Sequence, residues 1–539
     1  MDNALVALFG GNLQKTAFQP LFSGKSAFDL AVEKSGVFPH VGKTLLLTNE
    51  RWSGGSCIEE FETSEKIAVV AKDYWTKKAL LETLARMCAG FGMVYFVWAD
   101  TPFLDGELAG ALAKRHTRYR ADYTFADGYP AGLAPELLSP ECIRRLVDIA
   151  GDDGAVERDA IFSVLQKDIN AFDIETEIAP FDLRSRRLTF AADSKRNLLL
   201  LQRLFDAGFS DALDSEKFVE EKPEIFRTLP AFFPIQVALP CPQACKFCPY
   251  PRRGTPARGD EQDFMPCGVF ERLLDKILNF SGDAVIDLSL WGELSLHPKK
   301  ADLINAALER PALSLIIETS GVGWNKAELE ALAEAEKAAR IAKSGVRANN
   351  LPPLSWIVSL DAYDAARYRE VRGAGYAEAV ETVRTLAKLF PGNVYAQAVR
   401  TSGAEDDIER FYRFWKAEGL QVIIQKYDNF CGVLPSLRVS DLSPVERQPC
   451  WHLMRDMHIL IDGAVPLCRE TICAADCEGG AASASTAAAL TGAVSTLGNA
   501  FSEDLETIWR RGNGVYMDHA ACNYIDICTD CDEYYTYNI

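Results

Sequence analysis

Pro234-Ile-Gln-Val-Ala-Leu-Pro-Cys241-Pro-Gln-Ala-Cys245-Lys-Phe-Cys248 is an apolar strand that runs directly into a loop carrying three thiols. In an α/β fold the functional loops lie at the carboxyl ends of the strands, so this arrangement offers three thiolates at such an end. Three thiolates hold three irons of a four-iron cluster and leave the fourth open. An open metal position is what separates catalytic from structural sites. Zinc is the alternative, but it wants a fourth Cys or His; Cys267 is distant and no His is nearby.

Downstream, the segments 284–290 (AVIDLSL), 313–318 (LSLIIE), 355–360 (SWIVSL), 393–399 (NVYAQAV) and 421–426 (QVIIQK) read as strands. Helical stretches fall between them, over Phe270–Asn279, from Lys299, over Ala327–Lys343, from Tyr376 and over Asp407–Glu418. With the opening strand, that is six strands and intervening helices, which the right-handed crossover rule lets close into a partial (β/α)6 barrel. Upstream, Ala4–Phe9, Thr44–Leu47, Ile67–Val70 and Val94–Trp98 alternate with helices over Lys77–Cys88 and Gly106–His116, a second α/β sheet. The expected fold class is therefore α/β, with domains over 1–225, 226–430 and a cysteine-rich 431–539.

The 539 residues carry a formal net charge of -19, which speaks against a nucleic-acid partner because such surfaces rest on clustered Lys and Arg. No apolar run approaches a membrane span, and the N-terminus lacks a basic signal region, so no membrane partner and a cytoplasmic location are expected. Fifteen cysteines in such a chain argue for metal or cluster ligation over a disulfide framework. Only Cys57, Cys88 and Cys142 precede residue 240.

The C-x3-C-x-aromatic-C loop resembles the signature of the radical S-adenosylmethionine (radical SAM) superfamily, with Phe247 at the aromatic position that lies near the adenine. Trp291-Gly292-Glu293 resembles the Gly-Gly-Glu segment after the second strand, with Trp291 in place of the first glycine; Glu293 is implied to accept from the methionine amino group. Ser320, in Glu-Thr-Ser-Gly after the third strand, stands where relatives have Thr-Asn-Gly. Ser359 and Asp361 resemble the Ser-x-Asp segment that touches ribose or carboxylate, and Arg372, in YREVRGAGY, is implied to reach the methionine carboxylate or the substrate.

Cys450 is separated from Gly463 by twelve residues and Gly463 from Cys468 by four, and the stretch between reads as a β-hairpin turning at Asp462-Gly463. This pattern resembles the start of SPASM and twitch auxiliary-cluster domains, and Cys528-Thr-Asp-Cys531 supplies the closing C-x2-C. The resemblance implies one fully ligated auxiliary [4Fe-4S] cluster on Cys450, Cys468, Cys528 and Cys531. Zinc on the same four thiolates is the alternative. Cys473, Cys477 and Cys522 remain for a second cluster, although their order departs from the full SPASM pattern. A Gly/Ala/Ser/Thr-rich run follows Cys477 and reads as a flexible insertion.

In the first part, FVWADTPFLDGELAGALAKRH resembles GT-A-type nucleotidyltransferases, in which the Asp after the strand binds a divalent cation. Asp100 is that residue and Asp193 its expected companion, a site suited to Mg2+. The opening loop carries Lys15 without the family's Arg, so this part reads as a degenerate nucleotidyltransferase-like domain. Together the resemblances imply an enzyme that cleaves S-adenosylmethionine reductively to a 5′-deoxyadenosyl radical and abstracts hydrogen from a substrate, a peptide or protein ahead of a sugar, with a low-potential electron donor as partner. A bifunctional sugar-nucleotide enzyme and a zinc-stabilised scaffold are the rivals.

Overall fold

The structure is a computed structural model describing residues 3–49, 66–151, 154–250, 259–343, 351–440, 442–475, 496–529 and 531–535. Cys57, Cys477 and the Gly/Ala/Ser/Thr-rich run lie outside the described residues, as does the side chain of Cys473. The chain divides into two compact units, Met1–Thr228 and a second made of Leu229–Val346 with Leu351–Ile539. No helix among the described residues is long and apolar enough to cross a membrane.

The first unit is a seven-stranded sheet. Its strands are β1 (Ala4–Phe9), β2 (Val41–Thr48), β3 (Ile67–Ala71), β4 (Met93–Trp98), β5 (Tyr123–Asp127), β6 (Glu136–Leu138) and β7 (Ile174–Ile178), in the order β3-β2-β1-β4-β6-β5-β7. Central β1, ALVALF, is buried along its whole length, as expected of a parallel strand covered on both faces. Short β6 runs antiparallel between β4 and β5. Hydroxyl and carboxylate caps start the helices: Ser26 makes a full capping box with Asp29, and Thr76, Asp105, Ser139 and Ser194 each accept a backbone N–H from the first turn.

The second unit holds a six-stranded parallel sheet in consecutive order: β8 (Phe232–Pro234), β9 (Ala284–Asp287), β10 (Leu313–Thr319), β11 (Leu354–Ser359), β12 (Val394–Arg400) and β13 (Gln421–Lys426). Every neighbouring pair is joined by a helical crossover, from Cys267–Ser281 to Glu405–Ala417, which is the partial-barrel arrangement expected. Period-two patterning sorts the strands. Leu315 and Ile317 face the helices and join the large core that includes Trp356, Val358 and Trp415, whereas Phe232, Ile316 and Ile357 cluster on the opposite face.

Two local expectations change. The first barrel strand, read as 234–239, is assigned only over Phe232–Pro234; past Ile235 the backbone turns to a new partner, with Gln236 N–H donating to Ile459 O at 2.9 Å. The hairpin expected at Asp462-Gly463 keeps its turn, closed by Leu460 N–H donating to Ala464 O at 2.9 Å, but beyond that bond its arms take other strand partners. The first arm bridges the β8 edge at Phe232↔Asp456 and Ile235↔Ile459, and β14 (Ala464–Val465) pairs with β15 (Gly498–Asn499). An open strand edge satisfies its backbone with whatever extended chain is available. It thereby fastens the cysteine-rich segment to the barrel.

Candidate active site

The loop after Pro240 is braced by backbone contacts rather than by regular structure. Ala244 and Lys246 donate their N–H groups to the carbonyls of Arg372 and Val371, both at 3.0 Å, and Gln243 Nε2 donates to Ala374 O at 3.1 Å. The Arg-Gly-Ala-Gly stretch after the helix Ala365–Val371 thus seats the thiol loop, a contact across more than a hundred residues. Cys245 is buried, and burial pushes the Cys241 thiol up to about 11, the Cys248 thiol up to about 12, and Cys245 upward as well. Left alone these thiols stay protonated; a bound metal is what would draw off their protons. The donors are three soft thiols within one turn, which suits iron–sulfur chemistry. Among the described residues no group of three or more His, Cys, Asp or Glu side chains is gathered as around a single metal ion.

The segments at the ends of β9, β10 and β11 meet beside this loop. Glu293 is buried; its Oε1 accepts from Thr319 Oγ1 at 2.6 Å and its Oε2 from Ser320 N–H at 2.8 Å, while its own N–H donates to Pro240 O at 2.9 Å. Glu293 therefore ties the third strand end to itself through its carboxylate and to the start of the thiol loop through its backbone N–H. Gly292 sits at φ 73°, and a Cβ there would collide with the Ala238 carbonyl, so only glycine lets the turn lie this close. Asp361 and Arg372 form a buried ion pair at 2.5 Å, and Asp361 also accepts from Val399 N–H at 2.7 Å. The guanidinium carbon of Arg372 lies 6.0 Å from the centre of the Phe247 ring. Ser359 Oγ donates to Glu318 Oε1 at 2.8 Å, and Gln397 Nε2 reaches the same oxygen at 2.5 Å.

A second group of thiols lies in the C-terminal segment. Cys450, Cys468, Cys528 and Cys531 line one small cavity, of about 30 Å³, together with Cys431. Burial pushes Cys450, Cys468 and Cys528 well up, whereas Cys531 is lowered by a hydrogen bond from Cys431. Cys431 is absent from the expected set, and nothing in its local sequence marks it. Cys522 is exposed and does not line this cavity.

In the first unit, Asp100 and Asp193 do come together, but around an arginine. Arg158 donates to Asp100 through Nη1 at 2.9 Å and Nη2 at 2.6 Å and to Asp193 through Nη2 at 3.3 Å, and its guanidinium lies 4.4 Å over the Trp98 ring. At Asp100, where Mg2+ is expected, a bidentate guanidinium takes both oxygens of the carboxylate. Arg158 was not legible as the partner because it is 58 residues away in the chain.

Residues 237–414 match the family model of the radical SAM superfamily. This segment is a radical SAM domain. It is 37% identical over 388 residues to an uncharacterised protein of Treponema pallidum (strain Nichols), covering 70% of this chain and 98% of that protein, and the two belong to one family. Among solved structures it is similar to SuiB of Streptococcus suis bound to S-adenosylmethionine, with 15% identity and a TM-score of 0.41 over 60% of this chain and 75% of that one. It is also similar to a cytidylyltransferase of Leptospira borgpetersenii serovar Hardjo-bovis (strain JB197), with 12% identity and a TM-score of 0.35 over 42% of this chain and 97% of that one. Both likenesses are too slight to bear on chemistry.

Within the second unit, the radical SAM sheet opens its inner face onto a cavity of about 530 Å³. Phe232, Ile316, Ile357 and Ile423 give it apolar walls, and Asp287, Glu318, Gln397 and Lys426 give it polar groups. Burial pushes the Asp287 carboxyl up to about 7, and its Oδ1 has no hydrogen-bond partner. His458, also on the wall, is buried, held neutral by a pKa lowered to about 3, with Nδ1 unpartnered. Sequence reading passed over Asp287, Glu318, Gln397 and His458. The first two carried a signal, an acid inside an otherwise apolar strand, which period-two alternation assigns to the inner face.

Proposed function

We propose that this chain is a radical SAM enzyme that acts on a peptide or protein segment, with S-adenosylmethionine and a [4Fe-4S] cluster held at Cys241, Cys245 and Cys248 and an auxiliary [4Fe-4S] cluster held by the C-terminal thiols. The reading rests chiefly on the three-thiol loop seated between Glu293 and the Asp361–Arg372 pair inside the segment that matches the superfamily model. When bound, the cluster and S-adenosylmethionine supply a 5′-deoxyadenosyl radical. On this reading the chain divides functionally near residues 225 and 430.

The protein's own residues orient and exclude water. Glu293 presents carboxylate lone pairs to an ammonium group, Arg372 presents a guanidinium to a carboxylate, and Phe247 offers a flat apolar face. The layer of Ser359, Glu318 and Gln397 is the polar ring that ribose hydroxyls would meet. Beyond it, the apolar walls around Ile316 and Ile357 suit a peptide side chain, while Asp287 and Gln397 suit its backbone. Asp287, with its carboxyl near neutrality at physiological pH, is the group able to give or take a proton at the substrate. The rival reading, nucleotidyl transfer by the first unit, has Arg158 against it: the paired carboxylates that would hold a cation already hold a cationic side chain.

The test is anaerobic purification, a count of iron and sulfide, and dithionite-driven formation of 5′-deoxyadenosine. About eight irons per chain with cleavage supports the reading. Zinc without iron, and no cleavage in properly loaded protein, overturns it in favour of a scaffold.

A further inference from the structure

Five thiols line the small C-terminal cavity, one more than a four-iron cluster has corners. The extra one, Cys431, is delivered there by an unusual piece of backbone. Phe430 (φ 51°), Cys431 (φ 52°) and Gly432 (φ 88°) are three consecutive left-handed residues, a conformation that side chains with a Cβ rarely adopt and that clusters at functional sites. The turn is locked by its own hydrogen bonds: Phe430 N–H donates to Asp428 Oδ1 at 2.7 Å and Leu434 N–H to Asn429 O at 2.9 Å. Its effect is to point two neighbouring side chains into two different cavities. The Phe430 ring forms part of the wall of the 530 Å³ cavity and lies 5.5 Å from Trp291, while the Cys431 thiol enters the cysteine cavity beside Cys531 and donates to Glu470 Oε2 at 3.9 Å.

We propose that Cys431 is an exchangeable fifth ligand, competing with Cys531 for one iron of the auxiliary cluster while Cys450, Cys468 and Cys528 hold the other three. This rests on the auxiliary-cluster reading above. In the exchange the iron–sulfur bond to Cys531 breaks, the bond to Cys431 forms, and the proton of Cys431 passes to Cys531, the two thiols lining the same cavity. No electron moves and no further reactant is needed. Because Phe430 borders the large cavity, a substrate that displaces its ring turns the same piece of backbone that carries Cys431. Occupancy of the cavity is thereby linked to which thiol holds the iron.

The test uses the full chain with Cys241, Cys245 and Cys248 all changed to Ala, reconstituted anaerobically, so that only the auxiliary site reports. Iron per chain and electron paramagnetic resonance are the readouts. Cys431→Ala and Cys531→Ala are each expected to keep about four irons, because the remaining thiol takes the corner, with a changed signal in the reduced state. The double variant is expected to fall to about three irons with the signal of an oxidised three-iron cluster, and an added small thiol should restore the fourth iron, which a misfolded chain would not allow. Cys450→Ala should lose iron on its own. A loss on Cys531→Ala alone makes Cys431 a bystander and overturns the proposal. A loss on Cys431→Ala alone makes it an ordinary ligand, and four irons in the double variant makes it no ligand; either also overturns it. A parent protein without iron defeats the auxiliary-cluster reading itself, and this inference with it.

Discussion

Cys241, Cys245 and Cys248 come from one short loop, whereas the thiols of the C-terminal cavity are drawn from positions 431 to 531. In the first site, chain connectivity places the thiols and the fold only has to seat the loop, which it does with hydrogen bonds from Ala244, Lys246 and Gln243 to the carbonyls of residues 371–374. In the second, no two thiols except Cys528 and Cys531 are near in sequence, so the group exists only once the segment has docked on the β8 edge. A local site is cheap in loop-closure entropy and readable as a motif; a dispersed one relies on the tertiary structure for its assembly.

The comparison breaks or sharpens first at the thiols. Cys245→Ala should take reductant-driven cleavage of S-adenosylmethionine below detection while removing about four of eight irons, measured by chromatography of 5′-deoxyadenosine and an iron assay. Loss of all eight would mean that the two sites depend on each other. Next comes Gly292→Ala, where the added methyl meets the Ala238 carbonyl at a left-handed residue. It should lower the stability of the second unit by more than about 3 kcal/mol in urea unfolding, and an unaffected midpoint would show the loop to be less tightly seated than described.

A smaller effect is expected at Asp287. Its carboxyl titrates near 7 in the folded chain against about 4 unfolded. A raised acid pKa means that the folded state keeps its proton longer, so this group's contribution to stability is fully present below pH 4 and falls away as pH rises to 7. Asp287→Asn removes that loss, so the variant should gain on the wild type as pH rises from 4 to 7, by about 2 kcal/mol. Parallel melting curves at pH 4.5 and 7.5 check the sign. Smallest is Ser359→Ala, which deletes the hydroxyl donated to Glu318 and should cost about 1 kcal/mol.

Legibility followed the same division. The six-strand alternation and the three-thiol loop were plain because each is a short-range pattern, period two in the strands and fixed spacing in the loop, whereas Glu293 stood out only through the family resemblance. The hairpin at Asp462-Gly463 was half right, since a turn is local but the choice of strand partner is not. The neighbourhood of Asp100 in sequence says nothing of Arg158, and Cys431 was missed because a lone cysteine has no spacing to read.

Sequence alone determined the α/β class, the order of the parallel strands and the thiol loop of the radical SAM domain, since side-chain periodicity and ligand spacing are properties of the chain within a few residues. The tertiary structure decided what those elements meet. It set Arg158 between two carboxylates, joined Glu293 to Thr319 and Ser320, and brought a fifth thiol to the cavity of the other four. Such encounters depend on the side chains that packing brings across distances of tens to hundreds of residues, and no local pattern encodes them.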